Sequence, residues 1–310
     1  MTIDILSFGE PLFEFSQIPG QTEAVSYLSG FGGDTSNFSV SAARQGANVA
    51  ILAHLGSDVF GDQFVELWEK EGVKTDFVVR NPDAPTGVYF ISHDERGHHF
   101  TFYRKGSAAS LVTPQQIPQG AIAEAKLLHT SAITHAISDS SSDAVFEAIE
   151  IAKRENTMIS FDTNLRLKLW PLSRARAVIH ETIRHVDFCM PSLDEAQLLT
   201  GLEDANEVAD FYLGLGAKTV VLKMGKDGAM VATTDRRFRA AGHRVDTVDA
   251  TGAGDCFSGA FLSQVVKGKS LEQALAYANC AAALTTTGYG AVAPIPTAEQ
   301  VLAFQAEVKA

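Results

Sequence analysis

Apolar and polar positions along the chain follow two alternating patterns. Short apolar runs, of the length of a buried strand, occur at residues 3–8, 49–55, 127–133, 158–161, 188–190 and 220–222. Longer stretches with apolar residues at helical spacing lie between them, at residues 36–45, 60–71, 141–155, 173–185 and 206–215. This alternation is typical of a mainly parallel sheet with helices on both faces. The sequence therefore predicts a doubly wound α/β fold, in a single domain over residues 1–310, with ligands at the carboxyl ends of the strands.

Two segments do not follow this alternation. Residues 11–31 and 86–104 are extended in pattern, and the second predicts a hairpin with strands at 86–93 and 98–104 and a turn at 94–97. We expect Val88, Phe90, Phe100 and Phe102 on one face of this hairpin, and Tyr89 and Tyr103 elsewhere on it. Because so small a sheet is not stable alone, it must pack on something else. The sequence thus predicts a small β lid inserted in the single domain.

Composition and charge exclude several classes of function. A chain of 310 residues with 45% hydrophobic and 20% charged residues can bury a large core, which disfavours disorder. The formal charge of −12, from 25 basic and 37 acidic residues, disfavours nucleic acid or an anionic membrane as partner. The three cysteines are widely spaced and predict neither a disulfide framework nor a zinc site. With no signal-like or membrane-spanning stretch, we expect a cytoplasmic protein.

A glycine-rich segment near the C-terminus is the first candidate for a functional site. It has the sequence VDATGAGD, residues 248–255, and lies where an amphipathic helix begins. Glycines let backbone N–H groups approach an anion, and a helix N-terminus adds unpaired donors and a partial positive charge. A bound phosphate would repel Asp255, so its position makes sense if it takes a proton from an attacking hydroxyl. The alternative is that Asp255 only favours the first turn of the helix.

A second glycine cluster lies far upstream, with the sequence GFGGDTSN at residues 30–37, and again precedes a helical pattern. Two such clusters predict two ends of a ligand site. Together with the segment 248–255 and the spaced glycines Gly46, Gly56 and Gly61, this cluster resembles the ribokinase-like, or PfkB, family of carbohydrate kinases. The resemblance extends over essentially the whole chain.

The resemblance to this family implies an ATP-dependent kinase with a ribokinase-like fold. Asp255 would be the catalytic base, and the backbone of Gly252, Ala253 and Gly254 would form the anion hole for the transferred phosphate. It further implies Mg²⁺ with the ATP, and a monovalent cation such as K⁺ near Asp249. Because the lid of such kinases commonly pairs with a second subunit, we predict a homodimer through the lid or a higher homo-oligomer.

Cations from separate segments indicate that the sugar is an acid. Arg166 follows the strand at 158–161, and Arg104 with Lys105 ends the lid hairpin. Guanidinium groups bind carboxylates in bidentate fashion, so in an acidic protein these cations favour an anionic substrate. The alternative is that Arg166 pairs with a nearby acid and that Arg104 and Lys105 are solvated charges.

Four segments resemble the 2-keto-3-deoxygluconate kinases within the family: GVYF at 87–90, FYRK at 102–105, NLR at 164–166 and PSLDE at 191–195. The resemblance implies that this acid sugar receives a phosphate on its 6-hydroxyl. The implied sugar contacts are Gly32, Gly33, Asn37, Tyr89, Tyr103 and Asp255, with Arg166 and either Arg104 or Lys105 on the C1 carboxylate. Fructokinases share the scaffold, so a neutral sugar remains the alternative, and the sequence does not separate the gluco from the galacto epimer.

The nucleotide end is implied by the same resemblance. Many members have Asn-x-x-Glu where this chain has Ser192 and Glu195, so Glu195 is expected to organise Mg²⁺ and Asn164 to substitute for the missing amide. The nucleotide contacts implied are Asn164, Ser192, Lys223, Gly225, Gly228, Thr251, Gly252, Gly254 and Asn279. The alternatives are that Gly225 and Gly228 only make a turn before a strand at 229–233, and that Asn279 only belongs to a buried helix.

Two other classes of function are weighed against a kinase. A dinucleotide-dependent dehydrogenase would need Gly-x-Gly-x-x-Gly after the first strand, where this chain has Gly9-Glu10-Pro11. A sugar-binding regulator without catalysis would not need Asp255 beside an anion loop. Both are disfavoured.

Overall fold

A computed structural model describes residues 3–18, 25–94 and 97–308 of the protein. The strands of these ranges are, in chain order, β1 (Ile3–Phe8), β2 (Leu12–Gln17), β3 (Tyr27–Gly32), β4 (Val49–Gly56), β5 (Lys74–Asn81), β6 (Val88–Asp94), β7 (Gly97–Tyr103), β8 (Ala125–Ser131), β9 (Met158–Asp162), β10 (Phe188–Cys189), β11 (Thr219–Lys223), β12 (Ala229–Ala232) and β13 (Arg237–Ala240).

The helices of the described ranges are α1 (Asp34–Arg44), α2 (Val59–Lys70), α3 (Gln119–Glu124), α4 (Ala132–Ala136), α5 (Asp139–Glu155), α6 (Leu172–Ile183), α7 (Leu193–Thr200), α8 (Ala205–Leu215), α9 (Ala253–Val266), α10 (Leu271–Thr285) and α11 (Ala298–Glu307). None of these described helices is long and apolar enough to cross a membrane.

The larger sheet confirms the predicted doubly wound, mainly parallel arrangement. Its order is β13-β12-β11-β10-β9-β8-β1-β4-β5, parallel from β11 to β5 and antiparallel at β12 and β13. Every predicted strand is present. The strand predicted at 127–133 extends too far, because β8 ends at Ser131 and α4 begins at Ala132. The edge strands β5 and β13 were not predicted. They are only partly buried, so they lack a continuous apolar run.

The chain reverses its direction of travel across the sheet at β1. It runs from β1 to β4 and β5 on one side and from β8 towards β13 on the other. Alternate residues of β1 face two separate cores, with Ile5 in the core under α1, α9 and α10 and Leu6 in the core under α5, α6 and α8. Ligands of such sheets bind where the strand order reverses, at the carboxyl ends of the strands. The topology therefore places the site between the ends of β1 and β8.

The smaller sheet is the predicted lid, with the order β3-β2-β6-β7. One face packs on the main domain, where Phe13 lies 4.9 Å from Phe60 and Phe31 lies 5.2 Å from Phe64 of α2, measured between ring centroids. The extended segments 11–31 and 86–104 are confirmed by β2, β3, β6 and β7, which make up most of their described residues. Of the predicted turn at 94–97, Glu95 and Arg96 lie outside the described residues.

The predicted face of the hairpin is wrong. In the observed register Tyr89 is opposite Phe102, and Val88 is opposite Tyr103. Residues directly opposite each other share a face, so Phe102 lies with Tyr89, while Val88 and Phe90 lie with Tyr103. The register of a hairpin depends on its turn, and a shift of one residue exchanges the faces of a whole strand.

Helices α1 and α9 approach each other closely beside β1. A β-carbon on Gly259 of α9 would lie 2.6 Å from the carbonyl oxygen of Phe38 in α1 and 3.0 Å from the amide nitrogen of Ala42. The Ser41 hydroxyl donates a hydrogen bond of 2.9 Å to the carbonyl of Cys256. The absence of a side chain at Gly259 thus sets the distance between two helices that both reach the site.

We expect Gly259→Ala to destabilise the protein, because its methyl group overpacks the α1–α9 contact, at a cost of roughly 1–3 kcal/mol. The matched control is Gly214→Ala in α8, where a β-carbon would meet nothing within 4 Å. Alanine there should stabilise the helix by about 0.5–1 kcal/mol. Urea unfolding of the two variants measures both effects, and equal behaviour would contradict the close contact at Gly259.

Candidate active site

A cavity of about 960 Å³ opens between the lid and the carboxyl ends of the central strands. It is the site that the topology predicts. The predicted residues that line it are Gly32, Gly33, Asn37, Tyr89, Arg104, Lys105, Asn164, Arg166, Ser192, Glu195, Lys223, Thr251, Gly252, Gly254 and Asp255. Both glycine clusters and the separate cations therefore meet in one place.

The anion loop at the start of α9 has the backbone geometry that its glycines predict. Gly252 has φ +75°, and a β-carbon there would lie 2.9 Å from the carbonyl oxygen of Ala291. The Asp249 carboxylate holds the loop, since it accepts hydrogen bonds from the Thr251 amide at 2.9 Å and from the Gly290 amide at 3.0 Å. The first turn of a helix offers unpaired N–H groups, so this loop is a candidate anion site.

Lys223, at the end of β11, supplies positive charge beside this loop. Its Nζ would lie 3.7 Å from a β-carbon on Gly254, and it donates a hydrogen bond to the Asp162 carboxylate at the end of β9. Burial alone would lower the pKa of Lys223, but the Asp162 carboxylate raises that pKa above its ordinary value. The ammonium group therefore stays charged inside the cavity.

Asp255 lies in the first turn of α9, and its Oδ2 accepts a hydrogen bond of 2.9 Å from Nδ2 of Asn37 in α1. Burial and the nearby Asp34 carboxylate raise the pKa of Asp255 to about 8, although the Asn37 bond acts in the opposite direction. A carboxyl group with a raised pKa in a cavity is a candidate acid or base.

Sequence reasoning missed three carboxylates of this cavity, Glu10, Asp34 and Asp162. Asp34 begins α1 and accepts a hydrogen bond of 2.8 Å from Nδ2 of Asn164, which has a positive φ of 22°. Burial and Asp162 raise the pKa of Asp34. Each aspartate has a signal in the sequence. Asp34 directly follows the glycine pair, and Asp162 directly follows the predicted strand at 158–161. The amide of Asn164, expected near the metal, is instead engaged by Asp34.

The two arginines of the cavity are paired with acids. Arg166 donates to Glu195 at 3.1 Å, and Glu195 also accepts from the Thr163 hydroxyl at 3.2 Å. Arg104 pairs with Glu10, a fully buried residue that sequence reasoning did not select. The alternative considered for Arg166, a nearby acidic partner, is therefore what the structure contains.

No cluster of three or more His, Cys, Asp or Glu side chains within the described ranges could hold a metal ion. Mg²⁺ does not need such a cluster, because it is usually bound through one or two carboxylates, water and the phosphates of the substrate. Burial and Asp162 raise the pKa of Glu195, which lines the cavity. A single carboxylate facing a phosphate site fits the donor chemistry of Mg²⁺.

Tyr103 does not line the cavity, contrary to expectation. It is 63% exposed on the opposite face of the lid, and its ring contacts Phe90. Phe102 lines the cavity in its place and stacks on Tyr89, with 5.5 Å between ring centroids. The hydroxyl of Tyr89 donates to Glu14 of the lid.

Gly225, Gly228 and Asn279 lie outside the cavity, beside the strands β12 and β13 at one edge of the larger sheet. Nδ2 of Asn279 donates to the carbonyl of Ala240 at 3.0 Å, and a β-carbon on Gly228 would lie 2.0 Å from the same oxygen. Ala253 is the first residue of α9 and does not line the cavity with its side chain. The alternatives considered for these residues fit the structure: Gly225 and Gly228 make a turn before β12, and Asn279 belongs to the buried side of α10.

Comparison with known proteins decides between the classes of function. The family model for the pfkB family carbohydrate kinases matches residues 3–298. The chain belongs to this family. The resemblance inferred from its glycine motifs is thus confirmed, and so is the expectation that the protein is a carbohydrate kinase. Membership in the pfkB family also excludes the dehydrogenase alternative.

Relatives within the pfkB family carry two different names. A 2-dehydro-3-deoxygluconokinase of Thermoproteus tenax is 35% identical over 315 residues, covering 97% of this chain and 94% of that protein. A protein of the same name from Bacillus subtilis is 33% identical, with 98% and 96% covered. Fructokinase-1 of Oryza sativa is 32% identical, with 96% of both chains covered. Both groups of pfkB kinases match nearly full length.

Solved structures of pfkB-like kinases share the fold. A putative ribokinase II of E. coli in complex with ATP and Mg²⁺ has a TM-score of 0.90 at 26% identity, covering 98% of this chain and 99% of that one. A Vibrio cholerae fructokinase with bound fructose, ADP and potassium ion has a TM-score of 0.88 at 27% identity, with the same coverage. The predicted ribokinase-like fold is confirmed.

The raised pKa of Asp255 predicts a pH-dependent gain in stability for Asp255→Asn. The folded protein holds the Asp255 proton up to about pH 8, whereas the ordinary value of 3.8 applies once it unfolds. Between these values the folded state binds the extra proton, so rising pH progressively destabilises it. Asparagine does not titrate, so the variant lacks this loss of stability with rising pH. The variant should therefore melt higher than the wild type, by a margin that grows from pH 5 to 8 and then levels off. A margin independent of pH in thermal melts would contradict the raised pKa.

Proposed function

We propose that this protein transfers the γ-phosphoryl group of ATP to the 6-hydroxyl of 2-keto-3-deoxygluconate. The observation that carries the proposal is the Asp255 carboxylate, held by Asn37 at the N-terminus of α9, in the same cavity as Lys223 and the anion loop. A base and an anion site side by side are what phosphoryl transfer to an alcohol requires. The names of the two relatives from Thermoproteus tenax and Bacillus subtilis support the choice of sugar.

In the proposed reaction Asp255 accepts the proton of the sugar hydroxyl while the hydroxyl oxygen forms a bond to the γ-phosphorus. The bond to the leaving oxygen breaks, and ADP departs with that electron pair. The amides of Gly252, Ala253 and Gly254 and the ammonium of Lys223 receive the negative charge of the transferred group. Because the raised pKa leaves Asp255 largely protonated in the free enzyme at neutral pH, kcat/KM should rise with pH up to about 8.

The nucleotide end of the proposal rests on the loop and on the solved kinases with bound ATP. We place the phosphates of ATP at Thr251, Gly252, Gly254, Lys223 and Ser192. The adenine would lie towards Gly225, Gly228 and Asn279. Glu195, with Asn164 near it, would hold Mg²⁺ through water, and Mg²⁺ when bound supplies positive charge to the phosphates. The carboxylate of Asp249 would be the neighbour of a K⁺ ion. The E. coli structure with ATP and Mg²⁺ and the Vibrio cholerae structure with potassium support these assignments.

The proposed sugar is an acid because cations line the cavity opposite the anion loop. Gly32, Gly33, Asn37 and Tyr89 would surround its hydroxyl groups. Arg166 uses Nη1 for Glu195 and for the carbonyl of Leu165, which leaves its other nitrogens to face a carboxylate. The relatives named fructokinase make fructose the second candidate.

Coupled release of ADP with 2-keto-3-deoxygluconate tests the proposal. Asp255→Asn should lower kcat by about 10² to 10⁴, the range for loss of a positioned base, with little change in the KM for the sugar. Asp76→Asn, an exposed aspartate of β5 away from the cavity, is the matched control and should behave as the wild type. Undiminished turnover by Asp255→Asn would contradict its role.

The same assay ranks the substrates of the wild type. We expect kcat/KM to be highest for 2-keto-3-deoxygluconate among that sugar, its galacto epimer, fructose, ribose and gluconate. A preference for fructose would identify a fructokinase instead. A preference for the galacto epimer would keep the acid-sugar assignment and correct the epimer.

We further propose a cytoplasmic homodimer formed through the lid. The lid exposes Leu28 at 63% and Phe100 at 42%. Both lie on the face that carries Tyr89, and Phe100 also lines the cavity, so the proposed interface would border the site. Cys189 and Cys256 are free and buried, which supports a reducing compartment.

Light scattering at micromolar concentration should give twice the mass of the chain. Leu28→Glu should shift the protein towards the monomer, because a charge in an apolar interface is costly. Leu302→Glu, at an equally exposed leucine of α11, is the control and should leave the mass unchanged. A monomeric mass for the wild type would refute the dimer.

A further inference from the structure

The cavity contains five carboxylates and five cations among its described lining residues. Three of the cations have an acid of their own: Arg104 pairs with Glu10, Arg166 with Glu195 and Lys223 with Asp162. In each of these three pairs the positive charge is largely neutralised by its partner carboxylate.

The remaining two carboxylates are held by amides and not by cations. Asp34 accepts from Asn164 at 2.8 Å, and Asp255 accepts from Asn37 at 2.9 Å. Neither makes an ion pair with a described cation of the cavity. Two cations remain, Lys105 and Lys168, and no described residue makes an ion pair or hydrogen bond with the ammonium group of either.

The two lysines come from different parts of the fold. Lys105 follows β7 at the end of the lid, directly after the paired Arg104, and Lys168 lies in the segment between β9 and α6, two residues after the paired Arg166. Both are exposed side chains that line the cavity. A lysine places a point charge on a long flexible stem, so the two ammonium groups are able to converge on one anion from the two segments.

We propose that Lys168, together with Lys105, forms the subsite for the carboxylate of the substrate. This rests on the proposed function and identifies which residues make it selective for an acid sugar. Arg104 is a poorer candidate, because turning it to the substrate would strip the fully buried Glu10 of its cation. Arg166 shares its charge with Glu195, so its remaining nitrogens add to the lysines and do not replace them. Neither lysine has an acidic partner among the described residues, so turning it to a carboxylate of the substrate carries no such cost.

The test compares Lys168→Gln, Lys105→Gln and the control Lys70→Gln, a lysine of α2 that is exposed far from the cavity lining. Each cavity variant should raise the KM for 2-keto-3-deoxygluconate by roughly 10- to 100-fold, the equivalent of one hydrogen bond between charged groups. The kcat should stay within a few-fold, since neither residue touches the transferred group. Lys168→Arg keeps the charge and should recover most of the affinity.

Ionic strength provides a second readout that a merely structural role would not move. Added NaCl should raise the wild-type KM for the acid sugar by screening the lysines, and the double variant should lose this dependence. Fructose and fructose 1-phosphate serve as the neutral and the phosphorylated comparison substrates.

The outcomes separate this inference from the proposed function. Turnover of 2-keto-3-deoxygluconate with a KM that does not respond to either lysine, or equal increases for fructose, would overturn the inference alone. Lysine-dependent use of fructose 1-phosphate without use of the acid sugar would support the anion subsite and overturn the proposed substrate. A wild type that accepts only neutral sugars would overturn both.

Discussion

The hydrogen bond between Asn37 and Asp255 is the contact on which the site depends. It joins the first turns of α1 and α9, two helices from opposite ends of the chain, at the point where the order of the strands reverses beside β1. The bond requires that these helices lie close together, which the missing side chain of Gly259 permits. The position of Asp255 relative to Asn37 therefore depends on the packing of α1 against α9 at Gly259, one turn further into the core.

The second constraint is electrostatic. Beyond the effect of burial, Asp162 raises the pKa of Asp34, and both carboxylates raise the pKa of Asp255, while Lys223 is hydrogen-bonded to Asp162. Such a concentration of carboxylates lowers the stability of the folded chain, a cost that natural proteins accept where function needs it. The same arrangement keeps a proton acceptor beside an anion site, because the anion is drawn to the loop and to Lys223 while the carboxylate remains next to the hydroxyl.

Much of the fold and of the site could be predicted from local patterns. The strands β1, β4 and β9 are continuous apolar runs, and the glycines of the segment 248–255 mark an anion loop because Gly252 needs a positive φ. Other features had no local signal. Tyr103 was predicted to line the cavity where Phe102 does, because register across a hairpin depends on its turn. Glu10 was overlooked because nothing near it in sequence shows that Arg104 reaches it.

By itself the sequence determined the class of fold, the two glycine clusters that line the cavity and the identity of Asp255 as the candidate base. These features depend on residues that are neighbours along the chain, where periodicity and backbone freedom act directly. Only the tertiary structure decided which cations are already paired, which face of the lid covers the cavity and how far burial raises the pKa of Asp255. Charge pairing and desolvation depend on distances between segments remote in sequence, and those distances exist only once the chain has folded.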